Sequence, residues 1–118
     1  MLVISNPIHE SDLAGWVLPN PSAFTKGEVA AIKKWVKKGG RLFLIADHMP
    51  FGGGASKVGK TFGFNFGNGF ARNPQTQGWD YFTKEENSLL EHEITSDIDH
   101  VATFTGQAFT IPEKAEGV

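Results

Sequence analysis

The chain contains no cysteine. That excludes disulfides, thiolate metal ligands and any cysteine nucleophile. It leaves the compartment open, because a cysteine-free domain suits cytosol and periplasm alike. Long apolar runs are missing as well. The longest, Leu2 to Ile4 and Leu42 to Ala46, fall far short of the roughly 20 residues that a membrane-crossing helix needs. Neither sign of charge dominates: 11 basic against 13 acidic residues leave a formal net charge of -2, which gives no general attraction to nucleic acid or to an anionic membrane. The residues after Met1 lack the basic, apolar and cleavable parts of a signal peptide. Asn20-Pro21-Ser22 resembles a glycosylation acceptor but carries the proline that blocks it.

What is present is ordinary globular composition, 40% apolar and 20% charged over 118 residues, which supports a single hydrophobic core and neither disorder nor a fibre. Leu2-Val3-Ile4-Ser5 is short, apolar and β-branched, and stops at Asn6-Pro7. It reads as a buried strand ended by a residue without an amide donor. Residues 6 to 23 hold prolines 7, 19 and 21 among polar residues and read as a loop. A helix follows. Thr25 and Glu28 have capping-box spacing, and Gly39-Gly40 supply a left-handed stop. Val29, Ile32 and Val36 fall on one face, with Lys33, Lys34, Lys37 and Lys38 on the opposite arc. Leu42 to Ala46 is apolar on both faces and reads as a central strand covered by helices on each side. Strand, amphipathic helix and strand make a right-handed βαβ unit with parallel strands, so Asn6 and Asp47 fall on the same sheet edge.

The second half is rich in glycine and phenylalanine. Ala55 to Phe62 reads as a short helix, Phe64 to Phe66 as a short strand and 71 to 79 as exposed loop. Thr83 and Glu86 repeat the capping-box spacing ahead of a brief helix to about Glu91. His100 to Thr105 alternates like a strand, and Ala108 to Ile111 reads as another, closed by Pro112. The expected fold is therefore α/β with a mainly parallel sheet. The chain opens directly on a strand and ends without a closing helix, so the expectation is a partial domain lacking its first strand and helix.

Gly54-Ala55-Ser56-Lys57-Val58-Gly59-Lys60-Thr61 matches the P-loop pattern letter for letter. In a true P-loop the backbone amides cradle phosphates, Lys60 would reach the terminal ones and Thr61 would hold magnesium. The context argues otherwise. Asp47 to Pro50 separates the segment from its strand, and Gly63 stands two residues after Thr61. No later strand ends in the aspartate that would bind magnesium.

Asp47 and His48 are the leading candidates for chemistry, at the strand-end edge where open α/β folds bind ligands. An aspartate there orients a substrate or binds a cation, and a histidine shuttles a proton. A strand continuing through both would point their side chains to opposite faces, and the plainer alternative is that Asp47 caps the following turn. His9, Glu10 and Asp12 lie in the loop after the first strand, where capping and solvation explain them better than a metal site shared with Asp47 and His48. His92 and His100 flank Glu93, Asp97 and Asp99, an acidic stretch that suits solvent as well as a cation. Ser56 lacks the GxSxG setting of a nucleophile elbow and reads as a loop serine. The lysine face, with Arg41, and the phenylalanines read as solvated surface and packing.

Four passages carry a resemblance: Lys34-Trp35-Val36-Lys37-Lys38-Gly39-Gly40-Arg41-Leu42, Ile45-Ala46-Asp47-His48, Phe62-Gly63-Phe64 with Asn68-Gly69-Phe70, and His92-Glu93-Ile94-Thr95. Together they resemble the class I glutamine amidotransferase-like superfamily, in a branch near the trehalose-utilisation-type proteins and the auxiliary subunits of gliding-motility ABC transporters. The similarity spans roughly residues 1 to 111. It implies a flavodoxin-like three-layer sandwich and supports the missing first strand. In that superfamily a cysteine nucleophile sits on the turn after a central strand, which Asp47-His48 occupies here, so cysteine-dependent glutamine hydrolysis is excluded for this chain. The superfamily's His-Pro-Ile-Thr motif has Glu93 in place of proline, which questions the rigid turn expected there.

The expected function is an amidotransferase-like module without the nucleophile. It would bind a small molecule or a protein partner through Asn6, His9, Asp47 and His48. The alternatives are a hydrolase using Asp47 and His48, with or without a divalent metal, and a P-loop nucleotide binder. The sequence identifies no cofactor and no oligomeric state.

Overall fold

The computed structural model describes residues 1–76 and 79–118. Strand β1 (Leu2–Ser5) and strand β2 (Leu42–Ile45) pair in parallel, with Leu2 opposite Leu42 and Ser5 opposite Ile45. Helix α1 (Lys26–Lys37) crosses between them. Its capping box is complete: Glu28 N–H donates to Thr25 Oγ1 at 3.2 Å, and Thr25 N–H donates to the Glu28 carboxylate at 2.8 Å. At the far end Gly39 takes φ +93. Its amide donates to Val36 O and that of Gly40 to Trp35 O, the paired bonds of a Schellman stop. Val29, Ile32 and Val36 are half-buried, while the four lysines of the opposite arc are exposed.

One expectation for β2 does not hold. Val3 and Phe43 face each other across the pair and are 51% and 54% exposed. The parallel pair therefore has one open face, rather than a helix on each side.

Helix α2 (Phe51–Thr61) begins four residues before the predicted helix at Ala55. Three consecutive glycines argue against a helix by propensity, at about 1 kcal/mol each relative to alanine. Packing overrides this. Gly52, Gly53 and Gly54 are buried, and a Cβ on Gly54 would overlap the Pro7 carbonyl oxygen. One on Gly53 would stand 2.6 Å from the Asn20 backbone. The helix thus rests directly on the backbone of the 6–23 loop, an approach only glycine permits. Ala55 and Val58, on the same helix, are fully buried and with Leu89 form the apolar core among the described residues. Ser56, read from sequence as a loop residue, lies within this helix. Gly63, at φ +92, ends α2 with a second pair of Schellman bonds, Gly63 N–H to Lys60 O and Phe64 N–H to Gly59 O.

Beyond α2 the sheets are small and antiparallel. Strand β3 (Asn65–Phe66) pairs with strand β6 (Phe109–Thr110), and strand β4 (Trp79–Thr83) pairs with strand β5 (His100–Phe104). The loop expected over 71 to 79 gives way to β4 at Trp79, and residues 77 and 78 lie outside the described residues. The helix expected after Thr83 is a turn. Thr83 Oγ1 accepts the Glu86 amide at 3.2 Å, but the Thr83 amide donates to Ser88 Oγ and its carbonyl accepts from Leu89. The bonds to Ser88 and Leu89 fold the chain back on Thr83 instead of letting a helix run on, so half of the predicted box closes a turn. Among the described residues the fold is mixed α/β, with two α-helices and three two-stranded sheets, of which one is parallel. No helix is long and apolar enough to cross a membrane among the described residues.

Candidate functional site

The parallel pair ends on one rim, and Asn6 ties its two strands together there. Asn6 sits at φ 45, a left-handed conformation that asparagine tolerates better than most residues. Its amide donates to Ile45 O at 2.9 Å, and its side-chain Oδ1 accepts the Asp47 amide at 2.9 Å. The side chain thus continues the ladder one step past the last backbone pair.

Because β2 stops at Ile45, the alternation that would have sent Asp47 and His48 to opposite faces no longer applies. Asp47 Oδ2 lies 3.9 Å from His48 Nε2. Asp47 Oδ1 accepts the His48 amide at 2.8 Å, so the capping role weighed from sequence is present and occupies one carboxylate oxygen only. The Asp47 side chain is 43% exposed and that of His48 17%. His48 Nδ1 lies 2.7 Å from Met49 O. A carbonyl can only accept, so Nδ1 carries the hydrogen, and in the neutral ring Nε2 keeps its lone pair.

His48 is held among aromatic rings. Phe70 stacks on it at 4.5 Å between centroids, with Trp16 at 5.5 Å and Phe51 at 5.8 Å. Trp16 comes from the proline-containing loop, Phe51 from the first turn of α2, and Phe70 from the segment after β3. Trp16 and Phe70 keep about half their surface exposed, so the rim combines a carboxylate oxygen with two accessible ring surfaces.

Behind the rim runs a polar network. Gln107 Nε2 donates to Ala46 O at 3.0 Å and to Asp47 O at 2.6 Å, and its Oε1 accepts the Asn68 amide at 2.9 Å. Asn68 Oδ1 accepts the Gly53 amide at 2.8 Å, and Asn68 Nδ2 donates to Asn20 Oδ1 at 3.0 Å. Asn20 Nδ2 donates in turn to Asp12 Oδ1 at 3.1 Å. The absence of a side chain at Gly52 lets Gln107 reach this position, since a Cβ there would overlap Gln107 Oε1.

The remaining sequence candidates fall elsewhere. His9 turns to its own loop, with Nδ1 2.9 Å from Ser11 Oγ and accepting the Ser11 amide. Glu10 is exposed, but Asp12 is only 3% exposed, contrary to the solvated role expected for it, and its Oδ2 is buried without a hydrogen-bond partner among the described residues. His92 caps the short 3-10 turn Glu93–Thr95, accepting the Ile94 amide, while its own amide donates to Thr95 Oγ1. The turn forms with glutamate at position 93. His100 lies exposed in β5. Among the described residues, no three histidine or acidic side chains gather where they could hold a metal ion.

The P-loop match lies wholly within α2. Helical amides close on carbonyls four residues back and cannot form the open nest that cradles phosphates. Thr61 Oγ1 donates to Lys57 O at 2.9 Å, and Lys57 Nζ donates to Phe24 O at 3.1 Å.

Sequence reasoning missed Trp16, Asn20, Asn68 and Gln107. Asn68-Gly69 is a recognisable turn pair, and Asn68 does adopt φ 49. Gln107 carries no local signal, standing 61 residues from the carbonyl of Ala46 that it bonds.

No family model, no curated protein and no solved structure matches this chain.

Proposed function

We propose that this chain is an amidotransferase-like module without covalent chemistry of its own, which holds a small ligand at the rim of Asn6, Asp47 and His48. The finer architecture that accompanies this reading is flavodoxin-like, supported by the parallel β1–α1–β2 crossover ending in the Asp47 turn. The superfamily's nucleophile would stand at that turn, and aspartate followed by histidine stands there instead.

The observation that carries the proposal is the state of the Asp47 carboxylate. One oxygen is spent on the His48 amide, the backbone is pinned by Asn6 and Gln107, and Oδ2 is left on the rim 3.9 Å from His48 Nε2, whose ring stacks on Phe70 and lies near Trp16. A fixed acceptor next to aromatic surfaces suits a compact molecule with O–H or N–H donors and an apolar face, such as a sugar or an amine. Sugars, amines, nucleotides and divalent ions, titrated one class at a time into the labelled chain, test this through amide shifts of Asp47 and His48. A saturable response lost in Asp47→Asn supports it, and no response from any class sinks it.

One observation favours a second reading, a hydrolase. Met49 O takes the Nδ1 hydrogen, which leaves His48 Nε2 free to accept a proton 3.9 Å from Asp47 Oδ2. A hydrolytic activity that survives His48→Ala would remove this reading.

A further inference from the structure

A broad concavity runs along β2 from Leu42 to Ala46 and ends next to the rim. It is an apolar groove of about 670 Å³ bordered by β2 on one side and by Phe64, Phe66 and Phe109 on the other. Val36 of α1, Gly59 of α2 and Phe62 after it complete the groove, and among the described residues no charged side chain lines it.

Two observations say what kind of occupant it fits. First, all five consecutive residues from Leu42 to Ala46 border it. Side chains on one face would supply alternate residues only, so the backbone of β2 takes part in the lining. Second, the register with β1 fixes which backbone groups reach that edge. Leu2 N–H donates to Arg41 O and Asn6 N–H to Ile45 O, so the odd-numbered residues of β2 spend their peptide groups on β1. Those of Leu42 and Leu44 point the other way, into the groove, where no strand pairs with them among the described residues. At the C-terminal end Gln107 already supplies a donor to Ala46 O, which leaves Leu42 to Leu44 as the open length.

Natural edge strands are blunted by lysine, proline or a bulge. Leu42-Phe43-Leu44-Ile45 has none of these. The exposed pair Val3 and Phe43 extends the apolar surface around the same strand.

We propose that this groove is a strand-acceptor site, which takes an extended, uncharged apolar segment of a partner polypeptide. Its backbone bonds to the Leu42 and Leu44 peptide groups while its side chains fill the space beside the phenylalanines. Unpaired peptide groups at strand spacing select an extended backbone over a compact apolar molecule, and the uncharged lining selects an uncharged segment. The site adjoins the rim at Ala46 but uses other groups, those of Leu42 and Leu44, and stands or falls independently of the function proposed there.

The test uses the full chain and two blocked hexapeptides of alternating threonine and valine. They are identical except that one is N-methylated at alternate amides and so cannot complete a ladder. Saturable binding of the unmethylated peptide, at least about tenfold tighter than its methylated twin, supports the proposal. Slowed hydrogen exchange at the Leu42 and Leu44 amides on binding supports it as well. Leu44→Pro removes the groove-facing donor without touching the β1 ladder and should abolish binding. Should that variant fail to fold, the two-peptide comparison on the unaltered chain still decides. Equal affinity for both peptides, binding of neither, or Leu42 and Leu44 amides already protected in the free chain would each overturn the proposal.

Discussion

A single chemical change, glycine to alanine, should have opposite effects in the two helices. In α1, Gly27 has nothing closer to a new Cβ than Thr25 Oγ1 at 4.0 Å. Gly27→Ala should therefore gain the usual advantage of alanine in a helix, somewhat reduced in the first turn, about 0.5 kcal/mol. In α2, the Cβ of Gly54→Ala would fall far inside the 3.0 Å that real Cβ atoms essentially never breach, and the atom it meets is the Pro7 backbone carbonyl. Backbone cannot swing aside as a flexible side chain can. Overpacking costs about 1–3 kcal/mol; an approach to backbone this close belongs in the upper part of that range, about 2–3 kcal/mol, and subtracting an alanine gain of about 1 kcal/mol leaves a net loss of about 1–2 kcal/mol. For a domain of this size that lowers Tm by about 4–8 °C. Urea unfolding followed by far-UV circular dichroism measures both variants, with an unchanged m-value confirming that stability alone has moved. A Gly54→Ala chain as stable as the parent, or more stable, would mean that α2 does not rest on the 6–23 loop, and the geometry built upon that seat would fail with it.

Three further outcomes are expected. Asn6→Gly keeps the left-handed backbone but loses the acceptor for the Asp47 amide, costing about 1 kcal/mol, and Asn6→Ala should cost about 1 kcal/mol more from backbone strain; equal losses in the two variants would refute the strain component. Gln107→Ala removes three hydrogen bonds behind the rim and should cost about 2–3 kcal/mol, with amide shifts at Asp47 and Asn68 in the NMR spectrum; shifts confined to residues next to 107 in sequence would count against the network. The Thr25 backbone and side-chain hydrogen bonds hold the Glu28 carboxyl below its usual value. A lowered folded value means that the capping contribution is full above the ordinary glutamate range and is lost as pH falls through the lowered one. Glu28→Gln should flatten that part of the pH–stability profile, and an unchanged acid limb would show the box to be inert.

Where local signals and tertiary packing agreed, the fold could be read from the residues. Thr25, Glu28 and Gly39-Gly40 bracket α1 because capping is a short-range matter, and Val29, Ile32 and Val36 mark its inner face. The apolar runs of β1 and β2 with an amphipathic helix between them imply the parallel pairing that is found. Gly52 to Gly54 misled because glycine lowers helix propensity, whereas here its lack of a side chain is what seats the helix. Thr83 and Glu86 misled because their spacing serves a turn as well as a helix start. Asn6, Asp47 and His48 could be placed on the rim from topology alone. The rings that surround His48, and the amide of Gln107, reach the site through contacts across the chain that no periodicity announces. Asp12 misled too: it lies in a polar loop, yet it is buried there with its Oδ1 accepting from Asn20 of the same loop.

Everything on the rim depends on β1 and β2 running side by side in the same direction. Cross-strand nuclear Overhauser contacts in the isotope-labelled chain measure this directly. Contacts joining Leu2 with Leu42, Ile4 with Leu44, and the Asp47 amide with the Asn6 side chain are the expected result. Contacts joining Leu2 with Ile45 and Ser5 with Leu42 would mean an antiparallel pair and would contradict the account.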